Sequence, residues 1–264
     1  MFYVLLEKQI RFIVFMEKLA NLQLIVGETA DLVGRVADEI EFGIRERSPE
    51  RRGFVLGLAT GSTPIPLYEE LVRRHREEGL SFQNVITFNL DEYENLAPDH
   101  PKSYHSYMQR HLFGHVDVRP ELTFLPPSRY EDEASAARDF EVKIKEFGGI
   151  DLQILGIGRD GHIGFNEPGS GRETRTRRVA LASETREDAS PAFGGIENVP
   201  THAMTMGVAT ILEARRIILI ARGAGKREII HEAMSGKVSS EVPATFLQDH
   251  LNTAWYLDGA AAGQ

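Results

Sequence analysis

The sequence predicts an α/β protein built on a mostly parallel sheet with helices on both faces. Three observations predict it. Short apolar, β-rich runs alternate with amphipathic stretches along the whole chain. No internal repeat, heptad pattern or low-complexity tract interrupts that alternation. And the turns leaving several of the apolar runs are rich in glycine, hydroxyl and charged residues.

Taken in order, LQLIV (22–26) precedes ETADLVGRVADEIEFGI (28–44), whose apolar residues recur at helical spacing. FVLGLA (54–59) precedes PIPLYEELVRRHREE (64–78), and VITFNL (85–90) precedes SYHSYMQRHLF (103–113). LTFLP (122–126) is followed by EASAARDFEVKIKEF (133–147), and RIILIA (216–221) by GKREIIHEAM (225–234). DLQILGIG (151–158) runs into a glycine-rich loop. SPERRG (48–53) and GSGRETRTRR (169–178) read as loops, neither with the length of a domain linker. The expectation is one domain over residues 22–264, preceded by an N-terminal extension over 1–21. In that extension MFYVLLEKQIRFIVF is apolar, but Glu7, Lys8 and Arg11 break it before a signal sequence or membrane span forms. It reads as an added arm, or as an early start with the domain proper from near Met16.

At 264 residues the chain is long enough for a substantial core, and its 42% hydrophobic and 26% charged residues are ordinary for a globular protein. A net charge of −9 argues against a general nucleic-acid binder, which needs a basic footprint, while leaving room for a local anion pocket. With no cysteine, disulfides, thiolate catalysis and Cys-ligated zinc are excluded, in keeping with a cytoplasmic setting.

In open parallel sheets ligands bind where strand carboxyl ends meet helix N-termini, so the turns after the strands carry the functional information. In LATGSTP, Gly61 permits a tight turn, Ser62 and Thr63 are capping residues, and Pro64 suits the first helical position. A helix N-terminus with hydroxyls is an anion site, and without Gly-Lys-Ser/Thr this is not a Walker A loop. In VITFNLDEYENL a strand ends in Asp91 and Glu92, with Tyr93 beyond. In GIGRDGHIGFNEP, Gly156, Gly158 and Gly161 imitate a dinucleotide fingerprint, but Gly164, Pro168 and Gly169 forbid the helix it requires. What remains is a loop carrying Asp160, His162 and Glu167. Asp160 and His162, two apart in an extended segment, face one side, where a carboxylate orients an imidazole for proton transfer. No second histidine lies at ligand spacing, so no metal is expected. In ARGAGK, Lys226 follows Gly223 and Gly225 between strand and helix, which suits a phosphate.

LATGSTP, TFNLDEY, GIGRDGHIGFNEP and GAGK, in this order and spacing, closely resemble the glucosamine-6-phosphate deaminase (isomerase) family, from about Leu22 to about Leu257. The resemblance implies a doubly wound, Rossmann-like sheet and a cofactor-independent reaction. In it glucosamine 6-phosphate is ring-opened, isomerised through an enolamine and deaminated to fructose 6-phosphate. It implies that Asp91 moves the proton between C2 and C1, and that His162 opens the ring with Asp160 and Glu167 holding and tuning it. Thr60, Gly61, Ser62, Thr63 and Lys226 would grip the phosphate. The partner implied is a small amino sugar phosphate, with no nucleic acid and no membrane; both hexamers and monomers occur in the family. Two departures stand out. A lid arginine that some members direct at the phosphate falls on Pro191, with Arg186 the nearest substitute. Of an allosteric site in some members, Ser170 and Arg177 match, whereas its lysine falls on Val179.

Rivals of the same superfamily are a deaminase for the galactosamine epimer and a 6-phosphogluconolactonase, the latter disfavoured by the FNEP ending. A sugar-phosphate sensor domain is the rival of another class. It needs a DNA-binding module, yet the residues before Phe54 offer one strand-like run, one long helix and an acidic balance around Glu39–Glu41.

Overall fold

The computed structural model describes residues 23–46 and 53–264; the N-terminal extension and most of SPERRG lie outside them. The strands are β1 (Gln23–Val26), β2 (Phe54–Leu58), β3 (Val85–Asn89), β4 (Asp91–Tyr93), β5 (Thr123–Phe124), β6 (Leu152–Leu155), β7 (Arg177–Ala180), β8 (His202–Thr205), β9 (Arg216–Ala221) and β10 (Thr253–Leu257). The helices are α1 (Thr29–Arg45), α2 (Ile65–Glu78), α3 (Tyr104–His111), α4 (Glu133–Glu146), α5 (Ser183–Phe193), α6 (Val208–Leu212), α7 (Arg227–Ser235) and α8 (Gly259–Ala262), with short 3-10 turns between them.

Seven strands form one sheet in the order β1-β10-β9-β6-β2-β3-β5, parallel at every pairing. From β2 the chain winds outward through β3 to β5, and from β6 outward through β9 to β10. The topological switch therefore lies between β2 and β6, where open sheets bind ligands. The doubly wound, mostly parallel α/β sheet expected from the sequence is the fold observed. The four singled-out turns follow four adjacent strands, β9, β6, β2 and β3 (the last through β4), so they converge on one sheet edge.

The strands are apolar because both faces are covered: every residue of β2, β3, β6 and β10 is buried. Helix α1 applies Leu32, Val36, Ala37 and Ile40 to the core, and α2 applies Leu67, Tyr68, Leu71 and Val72, each set a single stripe of the helix. Trp255 and Phe88 are fully buried, each such side chain contributing roughly 1.5–3 kcal/mol or more by leaving water. Strand β10 escaped the sequence reading because only the four-residue α8 follows it, so the alternation of strand with amphipathic helix fails there.

A second, smaller sheet joins β4, β8 and β7 antiparallel. It corrects the reading of 169–178 as wholly loop, since Arg177 and Arg178 begin β7 and pair with Thr205 and Met204. A separate cluster of Tyr93, Phe165, Leu181, Val199 and Ala203 fills the space between this sheet and α5.

Candidate active site

At the switch point the sheet edge opens into a cavity of about 490 Å³. Thr60, Gly61, Ser62, Thr63, Asp91, His162 and Lys226 all line it, so seven of the residues singled out in the sequence meet in one place.

The turn after β2 places Gly61 at φ +88°, in the left-handed region that favours glycine. Helix α2 begins behind Pro64 with no side-chain cap, so Ser62 and Thr63 do not spend their hydroxyls capping it, contrary to the sequence reading. The turn's carbonyls are engaged instead. Tyr107 Oη donates to Gly61 O at 2.6 Å, and Arg222 Nη2 to Ser62 O at 3.0 Å and Thr63 O at 3.3 Å. The Thr60 hydroxyl meets Tyr104, and the Ser62 and Thr63 hydroxyls are left as donors for an anion. Lys226 Nζ, also on the cavity wall, donates to Ile157 O at 2.8 Å. Burial pushes the lysine pKa down, while the charges of Asp188 and Asp160 pull it up. Of the ARGAGK turn only Lys226 reaches the cavity, because the Gly223 N–H is taken by the Asp258 carboxylate at 3.0 and 2.9 Å.

Asp91 opens β4, opposite Thr205 of β8, and is 5% exposed. Burial first, and then the charge of Glu92, pushes its carboxyl up to about 8. An aspartate so placed holds its proton to higher pH than an ordinary one. Glu92 faces the other way. Its carboxylate accepts from the N–H groups of Tyr93, Tyr104 and His105 at 2.8, 2.9 and 2.9 Å, fixing the start of α3. Burial pushes its pKa up while these donors pull it back.

The GIGRDGHIG loop is a tight turn rather than the extended segment expected. Gly158 N donates to His162 O at 2.9 Å and Gly161 N to Gly158 O at 3.3 Å. The turn still brings the pair together. His162 Nδ1 lies 2.7 Å from Asp160 Oδ1, a contact of ion-pair length, and His162 N donates to the same oxygen at 3.1 Å. Burial pushes the Asp160 carboxyl up, but the hydrogen bond and charge of His162 outweigh it and hold the carboxyl below its ordinary value. Gly158 must be glycine because a Cβ there would stand 2.2 Å from the His162 ring. Asp160 itself is behind the histidine, outside the cavity wall.

Glu167 is not brought to His162. Both its oxygens accept from Ala182 N, at 3.0 and 2.8 Å, which fixes the start of α5. That helix roofs the cavity through Thr185, Asp188, Ala189, Ala192 and Phe193. Phe193 packs on Tyr93 at a ring-centroid distance of 5.4 Å, and Tyr93 on Tyr104 at 4.9 Å. Arg186 does not reach the cavity: its Nη2 donates to Ile196 O at 2.8 Å and Val199 O at 3.2 Å. Pro191 is exposed and lies outside the cavity wall. The sequence reading also missed Lys102, Tyr104, Tyr107, Arg110 and Asp188 as wall residues. The YHSY spacing, with two tyrosines three apart on one helix face, was the available signal for the tyrosines.

A hydroxyl-lined turn and a lysine at one end of a cavity, with a buried carboxyl and a carboxylate-paired imidazole on its wall, define an acid–base site for an anionic small molecule. The chain belongs to the family described as glucosamine-6-phosphate isomerases/6-phosphogluconolactonase, whose sequence profile matches residues 27–255. It is 48% identical to a glucosamine-6-phosphate deaminase of Rhodopirellula baltica, over 90% of this chain and 93% of that one. A monomeric glucosamine-6-phosphate deaminase of solved structure superposes with a TM-score of 0.86 at 40% identity, covering 91% of this chain and 99% of the other. A 6-phosphogluconolactonase from Thermotoga maritima shares the fold, with a TM-score of 0.70 at 19% identity over 90% of this chain and 99% of its own.

Proposed function

We propose that this protein converts glucosamine 6-phosphate and water to fructose 6-phosphate and ammonia. The observation that carries the reading is the placement of Asp91 and His162 on one cavity that the Thr60–Thr63 turn and Lys226 also line. The phosphate binds between that turn's N–H groups and hydroxyls and the Lys226 ammonium, and its binding energy fixes the sugar's position. His162, oriented by Asp160, takes the proton of the C1 hydroxyl and returns one to the ring oxygen as the ring opens. Asp91 then takes the C2 proton and delivers it to C1. The enolamine formed between becomes an imine at C2, and water hydrolyses it to the ketone and ammonia. Each step is a proton transfer or a hydrolysis, so the reading requires neither metal nor redox cofactor.

Asp91 must be ionised to act as this base, although burial and the charge of Glu92 favour its protonated form. The substrate supplies the correction itself, because its C2 ammonium enters beside the carboxyl and favours the charged form. Glu167 acts at a distance by anchoring the roof helix. A cytoplasmic setting belongs to the same reading. Its support is the cysteine-free chain.

The test is ammonia release from glucosamine 6-phosphate by purified protein, with fructose 6-phosphate measured alongside and the galactosamine epimer run in parallel. Equal amounts of ammonia and ketose from the gluco form, without added metal or NAD, are the expected result. Activity on the epimer alone would keep the chemistry and change the substrate. No ammonia from either would overturn the reading.

A further inference from the structure

Among the contacts that fasten helix α5 over the cavity in the described residues, the one between Arg159 and Asp188 joins charge to charge. At its start the Ala182 N–H meets Glu167, and Arg186 grips the carbonyls of Ile196 and Val199. Further along, Asp188 is held by Arg159 of the glycine loop: Nε stands 3.1 Å from Oδ2, and Nη2 closes on Oδ1. Among the residues that α5 contributes to the cavity wall, Asp188 alone is charged. Its charge is felt by Lys226, which also feels Arg159. A carboxylate therefore stands at the phosphate end of the site, bound bidentately by a guanidinium. Arg186, the single arginine of α5, is turned elsewhere, so the helix brings no cation of its own.

We propose that the Arg159–Asp188 pair is an exchangeable latch: the phosphoryl group of the substrate takes the Arg159 guanidinium from Asp188, making Arg159 the second cation of the phosphate subsite. The inference rests on the phosphate end assigned above. Its chemistry is substitution of like for like, since the planar fork that grips two carboxylate oxygens grips two phosphoryl oxygens in the same way. The exchange is easy because the two side chains are 63% and 53% exposed, and exposed pairs of this kind contribute little to stability. It is favourable because a phosphate carries more charge than the carboxylate it displaces. Arg159, which lies outside the cavity wall and reaches it through its pairing with Asp188, is thus a binding residue, and Asp188 a positioning residue that holds the guanidinium beside the cavity and ties down the roof until an anion arrives.

Calorimetric titration with inorganic phosphate tests this without recourse to turnover. Arg159→Gln should weaken phosphate binding about tenfold or more, the loss of one charge-assisted contact, and Arg159→Lys should recover part of that loss. Asp188→Asn should tighten binding, because the latch no longer competes. The double variant decides the matter. If Arg159 touches the phosphate, Arg159→Gln/Asp188→Asn binds several-fold more weakly than wild type. If Arg159 merely neutralises Asp188, the double variant returns to wild-type affinity, and the latch is overturned. It is equally overturned if Arg159→Gln leaves phosphate affinity unchanged, or if the wild-type protein binds no phosphate. Ammonia release by the wild type decides the reaction separately. The expected phosphate pattern without ammonia would leave the latch standing and remove the deaminase reading. Ammonia release with phosphate affinity indifferent to Arg159 would do the reverse.

Discussion

Asp91 and Glu92 are adjacent buried carboxyl groups that share their surroundings unequally: Glu92 accepts from three backbone N–H groups, whereas no hydrogen bond to the Asp91 carboxylate is found among the described residues. The donors let Glu92 carry charge, and that charge adds to burial in raising Asp91 to about 8. Because the base is active only when ionised, kcat/KM should rise with pH through about 8, the free-enzyme value. The corresponding limb of kcat should lie at lower pH, where the bound ammonium favours the carboxylate. Glu92→Gln should move the kcat/KM limb to lower pH. A limb that stays in place in that variant belongs to another group.

Asp91→Asn should lower kcat by about 10⁴-fold while fructose 6-phosphate still binds, measured by calorimetry. It should also stabilise the protein in alkali. A carboxyl whose folded pKa lies above its unfolded value favours the fold in acid and loses that contribution as pH rises, here from about 4 to about 8. The amide never pays the cost of ionising in a buried place. At pH 9 the variant should be more stable than wild type in denaturant unfolding, with a smaller difference at pH 5. Equal stability at both values would mean that Asp91 titrates normally.

At the His162 side, Gly158→Ala places a methyl carbon 2.2 Å from ring atoms, so the imidazole must swing off Asp160. The expected result is a loss of about 10²-fold or more in kcat with an unchanged circular dichroism spectrum. His162→Gln should slow the closed-ring substrate far more than an open-chain analogue. Equal losses on the two would remove His162 from ring opening.

Glu167→Ala removes the acceptor of the Ala182 N–H and loosens the start of α5. Amide hydrogen exchange over 182–193 should quicken, and KM should rise by about tenfold with a smaller change in kcat, as positioning binding energy is lost. A fall in kcat alone, with exchange unchanged, would instead place Glu167 in the chemistry.

What the sequence disclosed and what it withheld divide along a physical line. LATGSTP, LDEY and GIGRDGHIG could be read because each motif carries its function in neighbouring residues: glycine for a turn, hydroxyls at a helix start, a carboxylate two residues from an imidazole. The parallel sheet could be read because strands covered on both faces are apolar throughout. Glu92 reaching the N–H groups of Tyr104 and His105, Arg159 meeting Asp188, and Arg222 engaging the carbonyls of Ser62 and Thr63 are partnerships between distant segments. No local pattern announces them. The raised proton affinity of Asp91 belongs to the same class, since it follows from three-dimensional burial and not from the letters around it. Glu167, which the family resemblance implies holds His162, has its carboxylate on the Ala182 N–H at the start of α5.

The pairing of β1 with β10 has a consequence for how the protein is made. Val26 lies beside Leu257, so the first described strand docks on the last. During synthesis at about 5–20 residues per second, β1 leaves the ribosome on the order of ten seconds or more before its partner exists. Its apolar edge must wait unpaired through that interval, while the β2–β3–β5 half of the sheet has all its strands at hand far earlier. The nascent chain is therefore most exposed to aggregation or chaperone capture at its leading end, until β10 emerges and closes the sheet.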